Sequence, residues 1–524
     1  MKLKHLLSYI VLIIILAATT RPAQADLPFR NHRFSGFQSL PICMDGDIVF
    51  IGNSITNMHD WYEGLGGQQN VHNRGTSGGL SSEIIDNLES MIAGNPSKVF
   101  LMIGINDLRA NTEPATVVAN TQTIINRIRE EVPGATVYYQ SVLPASSVSK
   151  NIIETTNSSM KNWIDAQGDS KIVFVDLYCI FNDGNGNIKD TSATSSATSY
   201  SWDGLHPSQR AYHEWLNHLI SKGYLTNNFK CVYPENFDNN WGGQTQSLGM
   251  RTTLFGAETI TADDIIMLGD EIIHSGEWHE YMGSANVKNR GNNWGEGPSL
   301  HYLNSDAYLN AIFANNSAEV KREAPKAICI YAGYKETANG SSPFTSYQEV
   351  ISRLRSLDGG LLENTPIFLM TVGTRDDQSG VNSFNTNLKN TYGNGQTENV
   401  YVVDIASVLN TKDDFTSSVY QSYLSGLGYA KMANLLATAL NEKTGTNLDV
   451  YSIEEAEKTI ELYQVLTAIY KDKNLNYANK GEKLSLAQQE KFKELLPHVR
   501  AKLKRGNIDE FNSALQEAYE EARQ

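Results

Sequence analysis

The chain is 524 residues long, carries a formal net charge of −15, and consists of 40% hydrophobic and 19% charged residues. This length predicts two or more domains, and the composition is typical of a globular protein. The excess of acidic residues argues against nucleic acid and against an anionic membrane surface as partners. Four cysteines are too few for a disulfide framework in a chain of this size, and their spacing matches no zinc motif.

The first 25 residues have the pattern of a secretory signal peptide. Lys2 and Lys4 form a basic start, residues 6–18 are mostly apolar, and residues 23–25 have the sequence Ala-Gln-Ala, which fits a cleavage site. The apolar stretch is too short for a comfortable membrane span, and an uncleaved anchor is the alternative. We therefore expect an exported protein, periplasmic or extracellular, without stable membrane insertion.

The first strong structural pattern is an apolar run followed by a serine. Residues 31–46 show no periodicity and are expected to be irregular, whereas the apolar run over 48–51 predicts a buried strand of a parallel sheet. Gly52 allows a sharp exit from that strand, and Ser54 follows at the edge where open α/β sheets bind ligands. A serine hydroxyl alone is a weak nucleophile, so catalysis requires further groups.

Two segments after this strand could contribute to a site at the same edge. An aromatic turn over residues 57–62 contains Trp61, which is either ordinary packing or the wall of a substrate pocket. A glycine-rich loop over residues 73–79 contains Gly78, and it either leaves amide nitrogens open or is a plain turn.

A second buried strand is predicted over residues 99–104, and Asn106 follows it at the same edge of the sheet. Further strands over residues 137–143 and 172–175 alternate with amphipathic helices. Because this alternation requires right-handed crossovers between parallel strands, it predicts a three-layer α/β/α domain.

A polar loop over residues 182–200 leads into the last candidate segment of the first half. Trp202, Asp203 and His206 come directly after this loop, and a helix is predicted from Ser208 onward. Asp203 and His206 are three residues apart, a spacing at which a short turn can bring their side chains together.

Together these segments supply the parts of a serine esterase. His206 would accept the proton of Ser54, and Asp203 would hold the imidazole in the correct tautomer. The amides of Ser54 and Gly78, with the carboxamide of Asn106, would donate to the oxyanion, and one such donor contributes ~3 kcal/mol to transition-state stabilisation. Each pattern alone is weak, but their order on successive strand ends favours catalysis over coincidence.

These segments resemble the four sequence blocks of the SGNH, or GDSL-like, hydrolase superfamily, and the resemblance extends over residues 45–223. The blocks are Gly52-Asn53-Ser54, residues 73–78, Gly104-Ile105-Asn106-Asp107 and Asp203-Gly204-Leu205-His206. Asn53 stands where the family usually has aspartate, a residue that supports the turn and is not the nucleophile. The resemblance implies a flavodoxin-like α/β/α fold and no metal or organic cofactor.

The second half of the chain repeats the first. Residues 264–271 parallel residues 47–54, and residues 289–291 parallel residues 73–75. An internal duplication of a whole domain explains these matches most simply.

The repeat lacks the catalytic residue types. Glu271 stands at the position of the serine, Lys335 at the position of Asn106, and Tyr420 and Tyr423 at the positions of the acid and the base. We therefore expect a catalytically silent second domain, for which a glycan-binding role and a structural or docking role are both open.

These observations predict an α/β protein with two tandem flavodoxin-like α/β/α domains of the SGNH hydrolase type and a C-terminal helical appendage. The expected segments are a signal peptide (1–25), a catalytic domain (26–230), a degenerate domain (231–447) and the helical appendage (448–524).

The leading functional hypothesis is a secreted serine esterase that removes O-acetyl groups from a carbohydrate. One intact and one degenerate domain in tandem resemble secreted bacterial sialate O-acetylesterases, which makes Arg74 a candidate ligand for a substrate carboxylate, with a structural salt bridge as the alternative. Trp61 and Trp202 are further candidate substrate contacts. The rival functions are an acetylesterase for plant-type polysaccharide, a lysophospholipase and a non-catalytic glycan-binding module.

Overall fold

The computed structural model describes residues 28–191, 199–201, 203–226, 251, 254–292, 300, 303–315, 320–338, 343–395, 397, 399–418, 421–471 and 484–524. The predicted signal peptide and the side chains of Trp202 and Tyr420 lie outside the described residues. Within the described ranges, no helix combines the length and apolar character needed to cross a membrane.

The first half of the chain forms a five-stranded parallel sheet with helices between its strands. The strands are β1 (Ile48–Gly52), β2 (Val71–Gly75), β3 (Lys98–Met102), β4 (Thr136–Gln140) and β5 (Ile172–Val175), in the order β2-β1-β3-β4-β5. The helices are α1 (Pro28–Phe37), α2 (Ser54–Asn57), α3 (Trp61–Gly64), α4 (Ser81–Met91), α5 (Ile105–Arg109), α6 (Pro114–Glu131), α7 (Lys150–Gln167), α8 (Tyr178–Phe181) and α9 (Gln209–Ser221).

The second half forms another sheet of the same kind. Its strands are β6 (Ile265–Gly269), β7 (Val287–Gly291), β8 (Ala327–Tyr331), β9 (Ile367–Met370) and β10 (Val400–Val403), in the order β10-β9-β8-β6-β7. The described helices are α10 (Glu271–Ser275), α11 (Trp278–Tyr281), α12 (Asp306–Phe313), α13 (Tyr334–Ala338), α14 (Phe344–Ser356), α15 (Ser379–Tyr392) and α16 (Gly426–Thr444). Short 3₁₀ segments lie at Leu357–Gly359, Ile405–Ser407 and Lys412–Asp414.

The two sheets confirm the predicted fold class. In each, the first strand of the repeat lies between the second and the third, which is the flavodoxin-like order. Within the first sheet, Phe50, Phe100 and Tyr138 are register partners on β1, β3 and β4, and their rings stack at centroid distances of 4.7 and 4.6 Å. This ladder adds aromatic contact to the apolar burial that holds the three strands together.

The expectation that residues 31–46 are irregular is wrong for their first part, because α1 covers Pro28–Phe37. This helix has no acidic residue in its first turn and no basic residue in its last turn, so the usual sequence signals of a helix are missing. Its position depends on tertiary contacts, since His32 and Arg33 are buried among groups of both halves.

The two halves pack against each other along the outer edges of β2 and β7, and their contacts are reciprocal. Tyr62 and His279 stack at 3.8 Å. The Tyr62 hydroxyl donates to the Val287 carbonyl over 2.7 Å, and His279 Nε2 donates to the Val71 carbonyl over 3.2 Å. Each half therefore uses equivalent residues to cover the exposed edge strand of the other, as in the isologous contact of a twofold dimer.

Two equivalent arginines cross this interface in opposite directions. Arg74 on β2 binds Glu280 through both terminal nitrogens, at 2.6 and 2.8 Å. Arg290 on β7 binds Glu63 in the same way, at 2.8 and 2.9 Å. All four side chains are at most 4% exposed, so each ion pair is shielded from water and bidentate.

Three C-terminal helices, α17 (Ile453–Lys471), α18 (Leu486–Arg500) and α19 (Ile508–Arg523), complete the described chain. They enclose an apolar cluster that also includes Ile42 and Ala93, so they pack on the first half of the protein. Thr467 donates to Glu89 over 3.3 Å, and Arg500 forms a buried ion pair with Glu131. The predicted helical appendage therefore covers α4 and α6.

Candidate active site

The end of β1 places Ser54 at the carboxyl edge of the first sheet. Asn53 caps the following helix, because its side-chain oxygen accepts a hydrogen bond from the amide of Ile55 over 3.0 Å. A Cβ atom at Gly52 would overlap the Met102 carbonyl and the Thr56 hydroxyl. Glycine is required here because β1 and β3 come so close, and Ser54 is then presented at the start of α2 with 6% of its surface exposed.

His206 joins Ser54 to Asp203. The Ser54 hydroxyl lies 3.0 Å from His206 Nε2, and His206 Nδ1 lies 2.7 Å from Asp203 Oδ2. An ionised carboxylate can only accept, so Nδ1 carries the proton and Nε2 is free to accept the serine hydroxyl. The structure thus brings together the three residues that the sequence singles out, in the geometry of a nucleophile, a base and an orienting acid.

A compact turn over residues 203–208 sets this arrangement. Asp203 Oδ1 accepts hydrogen bonds from the amides of Leu205 and His206, at 3.0 and 2.8 Å, while Oδ2 meets the imidazole. Gly204 has φ +75°, a conformation that favours glycine. Ser208 then caps α9. The spacing of Asp203 and His206 follows from this local turn.

The electrostatics keep Asp203 ionised. Burial acts to raise its pKa, but the hydrogen bond and the charge of His206, with the two backbone amides, lower the pKa to about 2. The carboxylate is therefore negative at neutral pH and can stabilise an imidazolium formed during reaction.

The loop after β2 carries the predicted oxyanion group Gly78. This residue has φ +73° and is exposed, and within the described chain neither its amide nor that of Ser54 donates to another group. Asn106 donates from Nδ2 to the Gly79 carbonyl over 3.1 Å, which places its carboxamide beside the loop. The second proton of this amide is available to a ligand.

Asp107 joins the loops that carry these donors. Its carboxylate accepts from the Ser81 hydroxyl over 2.7 Å and from the Ser81 amide over 3.1 Å. Because Ser81 begins α4 and Asp107 follows Asn106, this contact connects the loop after β2 with the end of β3.

The expectation that Trp61 contacts substrate is wrong. Its ring is 1% exposed and stacks on Phe50 at 4.0 Å, and its Nε1 donates to the Thr56 carbonyl over 2.8 Å. The Trp61 side chain is therefore part of the core packing beneath the site. Trp202 lies outside the described residues.

The expectation that Arg74 binds a substrate carboxylate is also wrong. Arg74 is 2% exposed, and both terminal nitrogens bind Glu280 of the second half. The alternative, a structural salt bridge, is the role that Arg74 has. Its partner Glu280 lies more than 200 positions away in the sequence, so no local pattern could identify it.

Two arginines of α1 bind the backbone next to the site, and the sequence pattern does not identify them. Arg30 donates to the Gly78 carbonyl over 2.7 Å, and Arg33 donates to the Gly75 carbonyl over 3.0 Å. Both arginines lie in a segment without helical periodicity, so they can be identified only from their contacts in the folded chain.

The equivalent position in the second half holds an ion pair. Glu271 starts α10, is 3% exposed, and accepts from Lys335 Nζ over 2.9 Å. Asp270 caps this helix as Asn53 caps α2. Burial and the nearby Glu271 carboxylate raise the pKa of Asp270 to about 8.

Three groups of potential metal ligands occur among the described residues, all close to the interface of the two halves. Two of the groups share His72, whose ring nitrogens lie 2.8 Å from Asp47 and 2.9 Å from Glu280. Burial opposes protonation, but the two carboxylates raise the pKa of His72 well above its usual value. Lys288 stands at the equivalent position, facing Glu63 at 3.8 Å, so a buried cation explains both positions without a metal.

Comparison with protein-family models gives a match in the first half of the chain. Residues 50–214 match the model of the GDSL-like lipase/acylhydrolase family. A search of curated proteins gave no match.

Several solved structures are similar to part of the chain. A candidate platelet activating factor from Streptococcus pneumonia is 23% identical, covering 38% of this chain and 94% of its own, with a TM-score of 0.34. A GDSL-like lipase from Bacteroides thetaiotaomicron is 21% identical, covering 37% and 99%, with a TM-score of 0.29. A family 3 carbohydrate esterase from Clostridium thermocellum is 23% identical, covering 34% and 94%, with a TM-score of 0.25.

The family match begins within β1 and ends within α9, and it includes all the candidate catalytic residues. It supports the activity of a carboxylic ester hydrolase of the GDSL-like acylhydrolase type for the first half of the chain.

Proposed function

We propose that the first half of the protein is a serine acetylesterase in which Ser54 is the nucleophile, His206 the general base and Asp203 the orienting acid. The observation that carries this proposal is the continuous hydrogen-bonded path from Ser54 Oγ through the imidazole to Asp203, with distances of 3.0 and 2.7 Å. The loops that carry Gly78 and Asn106 supply the expected oxyanion donors, together with the amide of Ser54.

In this mechanism the Ser54 hydroxyl adds to the ester carbonyl while its proton moves to His206 Nε2. The negative charge on the former carbonyl oxygen is held by the amides of Ser54 and Gly78 and by the Asn106 carboxamide. The imidazolium then gives its proton to the leaving alcohol, which leaves an acetyl-Ser54 ester. Water, deprotonated by His206, attacks this ester, and acetate and free Ser54 result.

The proposed substrate is an O-acetylated carbohydrate, with O-acetylated sialic acid as the first candidate. The predicted export of the chain supports a substrate outside the cytoplasm, and the tandem of one intact and one degenerate domain resembles sialate O-acetylesterases. Because Arg74 is occupied by Glu280, a substrate carboxylate would need another partner.

We also propose a division of the chain into four segments that is consistent with this function. Residues 1–25 direct export to the periplasm or beyond and are removed, residues 26–230 form the catalytic domain, and residues 231–447 form a domain without esterase activity. Residues 448–524 are the helical appendage. The ion pair of Glu271 with Lys335 supports the silent character of the second domain, because it occupies the positions of a nucleophile and an oxyanion donor.

Hydrolysis of p-nitrophenyl acetate by the wild-type protein and by Ser54→Ala tests the activity. We expect Ser54→Ala to lose at least about 10³-fold in kcat. Ser90→Ala is the matched control, since the hydrogen bond that the described residues give the Ser90 hydroxyl is to the Asn87 carbonyl within α4. Equal rates for wild type and Ser54→Ala would contradict the proposal, and they would also contradict a silent second domain if the remaining activity came from that half.

The substrate is tested with the wild-type protein on O-acetylated sialic acid, acetylated xylan and a lysophospholipid. Release of acetate from the sialic acid at the highest kcat/KM supports the proposed substrate. Preference for acetylated xylan or for the lysophospholipid would favour the rival esterases, and glycan binding without any hydrolysis would favour a binding module.

A further inference from the structure

The second half of the protein is connected to the loop that carries Gly78 through helix α1, although it lacks the catalytic residue types at the positions equivalent to Ser54 and Asn106. We propose that the second domain positions this oxyanion loop through helix α1, and that Arg30 is the positioning residue that reaches the loop. This inference rests on the proposed esterase function, in which the amide of Gly78 binds the oxyanion.

Arg30 holds Gly78 directly. Its Nη1 donates to the Gly78 carbonyl over 2.7 Å and forms an ion pair with Glu83 Oε2 at 2.9 Å. The same Glu83 oxygen accepts a hydrogen bond from the amide of Leu80 over 2.9 Å. One guanidinium therefore joins the loop to the first turn of α4.

The hydrogen bond from Arg30 matters for the conformation of this loop because Gly78 is a flexible residue. Its flanks are held by other groups, since the Ser77 hydroxyl donates to Asn57 over 2.9 Å and the Gly79 amide donates to Thr76 over 2.9 Å. Gly78 lies between them at φ +73° and has no side chain that could restrict rotation of its peptide planes. Anchoring its carbonyl limits how far its amide can turn away from the oxyanion position.

Helix α1 is in turn held by the second domain. The Ser35 hydroxyl accepts from the amide of Gly426 over 3.0 Å, and the Ser39 hydroxyl lies 2.6 Å from the Tyr281 hydroxyl. Arg33 donates to the Ser275 carbonyl and to Glu277, each at 2.5 Å. These contacts tie the C-terminal half of α1 and the residues after it to the second domain.

Arg33 also connects the two domains at the strand that leads into the loop. Besides its contacts to the second domain, it donates to the Gly75 carbonyl over 3.0 Å and to the Asn73 carbonyl over 3.4 Å. The end of β2 and the oxyanion loop are thus both held by side chains of α1, whose position the second domain determines.

Steady-state kinetics of Arg30→Ala test the inference. A displaced oxyanion donor weakens transition-state binding more than substrate binding, so we expect kcat to fall roughly 10- to 100-fold while KM changes by less than about twofold. Arg30→Lys should keep more activity than Arg30→Ala, and ethylguanidine added to Arg30→Ala should recover part of the lost kcat.

Arg129→Ala is the matched control. Arg129 also binds one carboxylate, Asp169 at 2.9 Å, and backbone carbonyls, those of Pro133 and Ala135 at 2.8 Å, but it does so at the end of α6. We expect it to lower the unfolding midpoint to a similar degree as Arg30→Ala while leaving kcat unchanged. An inhibitor that mimics the tetrahedral intermediate, an aryl boronic acid, should bind Arg30→Ala more weakly in proportion to the loss of kcat/KM.

The role of the second domain is tested by Tyr281→Phe, which removes the hydroxyl that meets Ser39. We expect kcat to fall about 2- to 10-fold at constant KM. The control is Tyr347→Phe, which removes an equally buried hydroxyl bound to the backbone of Ala332 within the second domain.

The outcomes separate this inference from the proposed function. Ser54-dependent hydrolysis with an unchanged kcat in Arg30→Ala would overturn the inference and leave the esterase standing. The inference would also be overturned by a second result. In that result, ethylguanidine does not recover the kcat lost in Arg30→Ala, and Tyr281→Phe and Tyr347→Phe lose kcat equally. Helix α1 would then be a general stabilising element. If the wild-type protein shows no Ser54-dependent hydrolysis, both proposals fall.

Discussion

Replacing Asp203 by asparagine should inactivate the protein more severely than replacing it by alanine. The introduced carboxamide would keep its oxygen toward the amides of Leu205 and His206, because two hydrogen bonds of 3.0 and 2.8 Å require an acceptor there. Its NH₂ group would then face His206 Nδ1 at the position now held by Oδ2, 2.7 Å away. The imidazole would be forced to carry its proton on Nε2, where it cannot accept the proton of Ser54.

The expected size of this effect follows from the loss of the base. A wrong tautomer costs about 10⁴-fold in kcat, which corresponds to about 5.4 kcal/mol in the activation free energy. In Asp203→Ala, water can replace the carboxylate and the productive tautomer stays accessible, so we expect a smaller loss, about 10²- to 10³-fold.

The assay is steady-state hydrolysis of p-nitrophenyl acetate at neutral pH, with thermal unfolding as the check that each variant is folded. Activity of Asp203→Asn equal to or above that of Asp203→Ala would refute the reasoning, since it would show that the amide does not impose the tautomer on His206.

Three further predictions concern stability. Glu280→Gln leaves the buried Arg74 without its charged partner and should lower the free energy of unfolding by about 3–5 kcal/mol in urea titrations, whereas a loss below about 1 kcal/mol would contradict the proposed importance of the ion pair. Gly75→Ala should destabilise the protein by about 1–3 kcal/mol, because its Cβ would overlap the backbone of Asn57; an unchanged melting temperature would contradict this. The pKa of Asp203 is lowered from 3.8 to about 2, so its charged form stabilises the folded state by about 2 kcal/mol above pH 4, and this contribution is lost as the pH falls through 2. The stability difference between wild type and Asp203→Ala should shrink accordingly, and a difference that stays constant between pH 5 and pH 2 would contradict the lowered pKa.

The sheet and the position of Ser54 could be predicted because the relevant information is local. An apolar run that ends in Gly-Asn-Ser defines both the buried strand and the start of α2, and the same pattern of an apolar run ending in glycine recurs at β6. Asp203 and His206 belong to one short turn, so their mutual geometry is also encoded in a few adjacent residues. Their meeting with Ser54 follows from the order of the parallel strands.

The roles of Trp61 and Arg74 could not be predicted because partners distant in the sequence decide them. The sequence does not distinguish a buried tryptophan from one that lines a pocket. The stacking of Trp61 on Phe50 shows that this one is buried. An arginine beside the glycine-rich loop becomes an interface residue only because Glu280 of the second domain reaches it. Helix α1, which contains Arg30, could not be predicted for the same reason. Its sequence lacks the usual helix signals, and contacts with distant parts of the chain hold it in place.

The matching strand order of the two halves places these interface residues at equivalent positions. Arg74 with Glu280 and Arg290 with Glu63 are the same contact made twice, once in each direction. Such reciprocity is the property of a symmetric dimer, here found between the two halves of one chain. Glu271 and Lys335 stand at the positions of Ser54 and Asn106, and the second half contributes the surface that covers β2.

Covalent labelling with diethyl p-nitrophenyl phosphate tests the central claim most directly, because this reagent phosphorylates an activated serine nucleophile. Peptide mass spectrometry of the labelled protein should find one diethylphosphoryl group, on Ser54, and His206→Gln should slow its formation by at least about 10²-fold. A label on any other residue, or labelling of Ser54 at an unchanged rate in His206→Gln, would contradict the assignment of Ser54 and His206 as nucleophile and base.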